Sequence, residues 1–182
     1  TLDDKAMAAI FVANLARLRA EGFRPKRDIV VALTADEEGG TVVRVSSNPK
    51  LCSEKFASPQ QLLAASGLEG LTRNAHEKDA LLRALGINVN LAPVCDVSTD
   101  PADFIYARSM GMDAEGTAGC VSAVVGQMAD DGMGSVLKHF PGYGNNVDTH
   151  TGIAVDQRPL ERFEAADFLP FSAGITAGVR DG

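Results

Sequence analysis

The residues best suited to chemistry are two histidines and a carboxylate around a glycine-rich turn at residues 138–150, KHFPGYGNNVDTH. His139 lies near the start of this stretch, and Asp148 and His150 close it as an Asp-x-His pair. A carboxylate two residues from an imidazole can fix the tautomer and the orientation of the ring. The pattern therefore indicates an acid/base pair in which Asp148 orients His150.

The elements around this stretch are predicted to place it at the end of a parallel strand. Residues 134–137, GSVL, have the pattern of a short buried strand, so Lys138 and His139 fall at its carboxyl end. Parallel α/β folds hold ligands and catalytic groups at that end of their strands. A proline and two glycines then predict an irregular loop that delivers the Asp-x-His pair.

Helices and strands are predicted to alternate along the chain. Helices are expected at about 4–21, 58–85, 113–131 and 158–177, and strands at 29–33, 87–92 and 136–139. This order implies an α/β fold with a parallel sheet built through right-handed crossovers. A complete eight-stranded barrel needs about 250 residues, so 182 residues predict one domain that is an incomplete barrel. Its open edges predict a homo-oligomer.

Residues 36–182 resemble family 3 glycoside hydrolases, in the subgroup of β-N-acetylhexosaminidases that use a histidine as acid/base. The Lys-His-Phe-Pro-Gly run followed by Asp-x-His carries the resemblance, although Tyr143 stands where many relatives have another histidine. DEEGG at 36–40, NVNLAPVCD at 88–96 and RSMG at 108–111 extend it. The resemblance implies a partial (β/α)8 TIM-type barrel that hydrolyses terminal β-linked N-acetylhexosamine or a related β-glycoside.

The resemblance also assigns roles to individual residues. His150 would be the acid/base and Asp148 its orienter. Five residues would hydrogen-bond the hydroxyls of the terminal sugar: Asp36, Arg44, Arg108, Lys138 and His139. No metal and no cofactor is implied. In the family the nucleophile is an aspartate on a later strand, which no residue after His150 matches, so we expect the isolated chain to be weakly active or inactive.

The first forty residues point to a second family. TLDDKAM at 1–7 and RDIVVALTADEE at 27–38 resemble the di-zinc aminoacylases and carboxypeptidases. That resemblance would make Asp3 and Glu38 metal ligands and Glu37 a general base. The histidine ligands of that family have no counterpart here, so the zinc site is not expected to assemble. Residues 1–40 are therefore interpreted as a helix-strand segment of different origin, which makes the chain a chimera.

Simpler explanations stay open for several of these residues. Taken singly, residues 36–38 would form a solvated acidic loop, and Arg108 would be an ordinary surface arginine. Asp96 is expected to cap a turn or to bond neighbouring backbone rather than substrate. His76 is predicted to be a surface or packing residue. Two alternative functions also remain, a zinc-dependent amidohydrolase and a non-catalytic chimeric scaffold.

Composition narrows the class of partner. A net charge of −7 argues against nucleic acid and anionic membrane surfaces, which select basic patches. Carbohydrate is the expected partner, with Phe140 and Tyr143 as stacking candidates because the chain has no tryptophan. The three cysteines are widely spaced and predict neither a disulfide framework nor a zinc site. With no signal peptide and no membrane-spanning apolar stretch in the sequence, a cytoplasmic location is expected.

Overall fold

The computed structural model describes residues 17, 18, 20–22 and 45–178. The chain divides into two compact units, residues 1–35 and 36–182. In the first unit, Arg17 is helical and its carbonyl accepts the Glu21 N–H at 2.9 Å, after which the chain turns at Gly22. The φ of 79° at Gly22 favours glycine, which fits the helix end predicted there.

Several predictions concern residues outside the described part of the chain. These are the strand at 29–33, the candidate sugar contacts Asp36 and Arg44, and the candidate zinc-site residues Asp3, Glu37 and Glu38. Their assignments stay predictions.

Helix α1 spans Pro59–Ala84 and begins where the sequence predicts it. The Ser58 hydroxyl accepts the Gln61 N–H at 3.3 Å, while the Gln61 side chain accepts the Ser58 N–H at 2.9 Å. This reciprocal capping box, with proline at the first helical position, fixes the start of the helix. Gly67 interrupts the helix with φ 59° and ψ −152°, so α1 contains a kink.

Two short parallel strands flank helix α2, which spans Ala114–Asp130. Strand β1, Val89–Asn90, pairs in parallel with β2, Gly134–Ser135. Beyond β2, Val94 and Lys138 form one further parallel bridge. This β1–α2–β2 unit confirms the predicted crossover. Strand β1 is shorter than the strand predicted at 87–92. Strand β2 covers the first half of the segment predicted at 134–137 and precedes the strand predicted at 136–139. Pro93 has no N–H to donate to the ladder between β1 and the bridge at Val94.

The strand predicted at 134–137 is less buried than its apolar sequence suggests. Gly134 and Ser135 are half-buried, and Val136 is 40% exposed. After this segment the chain runs without regular structure to helix α3, Leu160–Arg162. A π-helical turn at Phe163–Asp167 leads directly into helix α4, Phe168–Gly178. The helix predicted from residue 158 is therefore present, with a change of pitch in its middle.

Helix α2 packs between α1 and α4 and forms the core with both. Leu82 of α1 and Met128 of α2 belong to one buried cluster, and Val121 and Phe171 belong to the other. At Gly174 an added Cβ would lie 2.9 Å from the Leu137 side chain, so α4 approaches the end of the β2 segment closely. These contacts fix the position of the loop that follows residue 138.

Helices around a small parallel sheet agree with the predicted α/β class. Within the described residues, every helix is too short or too polar to cross a lipid bilayer. Self-association stays a prediction.

Candidate active site

Asp96, which follows β1, organises the start of the loop after β2. It is fully buried, and its Oδ2 accepts the His139 backbone N–H at 3.1 Å. The same oxygen accepts the ring Nδ1–H of His139 at 2.7 Å, and Oδ1 accepts the Tyr143 N–H at 2.8 Å. The sequence analysis expected Asp96 to bond neighbouring backbone. Its partners are instead 43 and 47 residues further along the chain.

The ring of His139 connects Asp96 to Arg108. A carboxylate only accepts, so the proton lies on Nδ1 and the lone pair lies on Nε2. That lone pair accepts an N–H from Nη2 of Arg108 at 3.2 Å. Arg108 is only 6% exposed, which rules out the ordinary surface arginine considered above. Lys138 comes directly before His139, and its Nζ is enclosed at the same edge of the sheet.

Asp148 and His150 form the pair that their spacing predicts. Asp148 Oδ1 accepts the backbone N–H of His150 at 2.9 Å and the ring Nδ1–H at 2.6 Å. These two N–H groups hold the pKa of Asp148 below its ordinary value. The His150 side chain is 57% exposed. With Nδ1 occupied by Asp148, Nε2 is the ring atom that can exchange a proton with a substrate.

Aromatic side chains connect the group formed by Asp96, His139 and Arg108 to the Asp148–His150 pair. The Tyr143 ring lies edge-on to His139 at 5.5 Å, and its hydroxyl bonds the Thr149 hydroxyl. Phe104 lies 5.5 Å from the Tyr143 ring and 6.4 Å from the His150 ring, measured between centroids. The site therefore gathers residues of two loops, one after each strand.

The sequence and the fold of this chain are similar to those of known proteins. The N-terminal domain of glycosyl hydrolase family 3 matches residues 12–181. This chain belongs to that family. Its fold is TIM-barrel-like, in agreement with the helices and parallel strands described above.

The family 3 relatives include hexosaminidases. The chain is 36% identical over 172 residues to a β-hexosaminidase of Stenotrophomonas maltophilia, covering 90% of this chain and 48% of the relative. A β-N-acetylglucosaminidase structure from a Paenibacillus species superposes with a TM-score of 0.69 at 33% identity, covering 79% of this chain and 27% of that one. The β-N-acetylhexosaminidase from Beutenbergia cavernae gives 0.65 at 32% identity, covering 79% and 44%.

These matches bear on the extent of the family 3 sequence. The chain spans about half the length of the curated relatives it matches. The family match begins at residue 12, well before the boundary at 36–40 that the sequence analysis placed. A relationship to the zinc aminoacylases, and hence a chimera, is not shown.

The described part of this family 3 chain holds no metal-ligand cluster. Between residues 45 and 178, no three His, Cys, Asp or Glu side chains are placed to hold a metal ion together. Cys95 is buried, and burial raises the pKa of its thiol to about 12, so it remains protonated. His76 is exposed and bonds Asp131 at 2.7 Å, which supports its predicted structural role.

The structure brings some of the predicted site residues together and places others elsewhere. Among the predicted residues, Arg108, His139, Asp148 and His150 come together with Tyr143. Phe140, predicted as a stacking candidate, instead stacks on Phe168 of α4 at 5.4 Å. Phe104 was missed, because an isolated phenylalanine in a loop carries no spacing signal.

Proposed function

We propose that this chain forms the sugar-binding and acid/base part of a glycoside hydrolase site for terminal β-linked N-acetylhexosamine. The Asp148–His150 pair, with Nε2 of His150 left for proton exchange, is the observation that carries this proposal. The names of the related β-hexosaminidase and β-N-acetylglucosaminidase support the substrate class.

The pair suits both halves of a retaining hydrolysis. Nε2 of protonated His150 would donate a proton to the glycosidic oxygen as the bond to the anomeric carbon breaks. The neutral ring would then accept a proton from the water that completes hydrolysis. Throughout, the Asp148 carboxylate would stabilise the imidazolium and keep its Nδ1 protonated. A second group must act from the opposite face of the sugar. The family resemblance assigns that role to an aspartate on a later strand.

Sugar recognition would fall to the charged groups beside the pair. Arg108 presents several N–H donors, and its contact with Nε2 of His139 holds the guanidinium in place. Lys138 directly precedes His139 on the loop after β2. Asp36 and Arg44 are proposed to complete the sugar contacts, as the family resemblance implies.

Changing Arg108 to alanine is expected to weaken binding of N-acetylglucosamine. Removing a charged donor from a buried hydrogen bond costs about 1.5–3 kcal/mol, which corresponds to about 10- to 100-fold in affinity. Titration of labelled protein with the sugar by NMR measures the loss. Arg73→Ala, which removes an exposed arginine that pairs with Glu69 on α1, is expected to leave affinity unchanged. Equal affinity in the wild type and Arg108→Ala would refute this role for Arg108.

Hydrolysis of p-nitrophenyl N-acetyl-β-D-glucosaminide tests the proposed function as a whole. His150→Ala is expected to retain sugar binding and to lose about 100-fold or more of any release that the wild-type chain catalyses. Release that persists in His150→Ala would exclude His150 as the acid/base. A folded wild-type chain that neither binds nor hydrolyses the sugar would contradict the proposal.

A further inference from the structure

Arg158 is the centre of an ion cluster beneath the loop that carries the Asp148–His150 pair. Its Nε and Nη2 donate to the Asp156 carboxylate at 3.0 Å and 2.8 Å. Its Nη1 donates to both oxygens of Asp167, at 3.1 Å and 3.0 Å. The guanidinium also lies over the Phe163 ring, 4.3 Å from its centroid. One arginine thus bridges two carboxylates and an aromatic ring, a geometry that its planar fork suits.

The cluster bonds directly to the backbone of the loop. Nη2 of Arg158 donates to the Gly142 carbonyl at 3.0 Å. Asp156 Oδ2 accepts from Asn146 Nδ2 at 2.6 Å, and the same amide donates to the Tyr143 carbonyl at 2.8 Å. The interaction with Arg158 holds the pKa of Asp156 at about 2, so this carboxylate stays ionised. The charged network around Arg158 therefore fixes the backbone of residues 142–146.

The loop packs closely against this cluster at two glycines. An added Cβ on Gly142 would collide with the Asp167 carboxylate, and one on Gly144 would lie 2.5 Å from the Arg158 guanidinium. Both glycines have positive φ, 119° and 53°, which other residues rarely adopt. The loop conformation and the cluster therefore fit each other at two separate points.

From the cluster, contacts continue to the Asp148–His150 pair. Tyr143, whose carbonyl accepts from Asn146, bonds the Thr149 hydroxyl through its own hydroxyl. Thr149 lies between the two members of the pair. We propose that Arg158 is a positioning residue that holds this loop in the conformation in which His150 meets Asp148. This inference rests on the proposed function for its catalytic meaning, but the geometry it predicts can be measured independently.

The test is the tautomer of His150, read from the 15N chemical shifts of its ring nitrogens at a pH where the ring is neutral. In the wild type, the bond to Asp148 favours the Nδ1–H form. Arg158→Ala is expected to release the loop and so to weaken the hydrogen bond from His150 Nδ1 to the Asp148 carboxylate. Loss of a hydrogen bond to a charged group is expected to shift the ratio about ten-fold toward the Nε2–H form. Arg158→Lys is expected to show a similar shift, since one ammonium cannot bridge Asp156, Asp167 and Gly142 together.

Two further variants complete the design. Arg162→Ala removes an exposed arginine from the neighbouring helix α3 and is expected to keep the wild-type ratio. Asn146→Ala breaks the link between Asp156 and Tyr143 while leaving the ion cluster intact. Asn146→Ala is expected to shift the ratio in the same direction. It therefore tests the inference if Arg158→Ala does not fold. A wild-type ratio in both Asn146→Ala and Arg158→Lys would overturn the inference.

A parallel titration with N-acetylglucosamine separates this inference from the proposed function. Sugar binding with an unchanged tautomer ratio in the variants would overturn the role of Arg158 alone. A shifted ratio without sugar binding or hydrolysis by the wild type would confirm the positioning role and contradict the proposed function.

Discussion

Replacing Asp96 with asparagine is expected to lower the free energy of unfolding by about 3 kcal/mol. The carboxylate is fully buried and accepts two backbone N–H groups as well as the His139 ring. An amide has one accepting oxygen, so its NH2 group must face an N–H donor of either His139 or Tyr143. The misplaced donor then pushes the loop away from Asp96.

The same substitution is expected to weaken sugar binding, because it removes the contact that holds the Arg108 guanidinium in place. Without a carboxylate on Nδ1, the His139 ring is no longer fixed in the tautomer whose Nε2 accepts from Arg108. Urea unfolding measures the stability, and titration with N-acetylglucosamine measures the binding.

Asp100→Asn is the matched control for this prediction. Asp100 lies in an exposed turn and accepts only the local Ala102 N–H through its side chain, at 2.9 Å. Its replacement is expected to change stability by less than about 1 kcal/mol. Equal effects of the two substitutions would show that Asp96 does not organise the site.

The sequence predicted best those features whose determinants lie close together along the chain. Ser58 and Gln61 are three residues apart, and this spacing predicts the start of α1. Asp148 and His150 are two residues apart, so the spacing alone predicts that the carboxylate can reach the imidazole. In both cases the interacting groups lie close together along the chain, so the contact could be predicted before the fold was known. The contacts through Arg158 that hold Asp148 and His150 in this geometry could not be predicted in the same way.

Features that depend on distant contacts could not be predicted in this way. Nothing near Asp96 in sequence shows that its carboxylate bonds a loop 43 residues later. The sequence around Arg158 likewise indicated only the start of a helix. In the structure, its guanidinium donates hydrogen bonds to residues as far apart as Gly142 and Asp167. Parallel strands bring such loops together only when the crossover is formed, so the fold must be known first.

Helix α1 provides a further case, because its sequence gives no sign that Asp79 is buried. The side chain is 1% exposed, and its carboxyl group lies close to that of Asp131. It lines a cavity of about 40 Å3 together with Asn90 and Met128. Burial raises the pKa of Asp79 to about 7, and the negative charge of Asp131 adds to the shift. His76 and Lys78 oppose the shift.

Asp79→Asn is expected to stabilise the protein near pH 8 and to have little effect near pH 4. In the unfolded chain the pKa of Asp79 is near its ordinary value of 3.8, whereas in the folded chain the group keeps its proton up to about pH 7. Between these values unfolding releases a proton, so wild-type stability falls by about 1.4 kcal/mol per pH unit as the pH rises. Asparagine does not titrate and removes this loss. Urea unfolding of both proteins across this pH range measures the difference.

Glu77→Gln is the control, because Glu77 lies two residues away on the exposed face of the same helix. It removes the same charge, so a general effect of net charge would appear in both variants, whereas the effect of burial appears only in Asp79→Asn. Taking the difference between wild type and variant at each pH cancels the titration of the other carboxylates, including Asp148 and Asp156. A difference that stays constant with pH would show that Asp79 is ionised in the folded protein and that the cavity stabilises its charge.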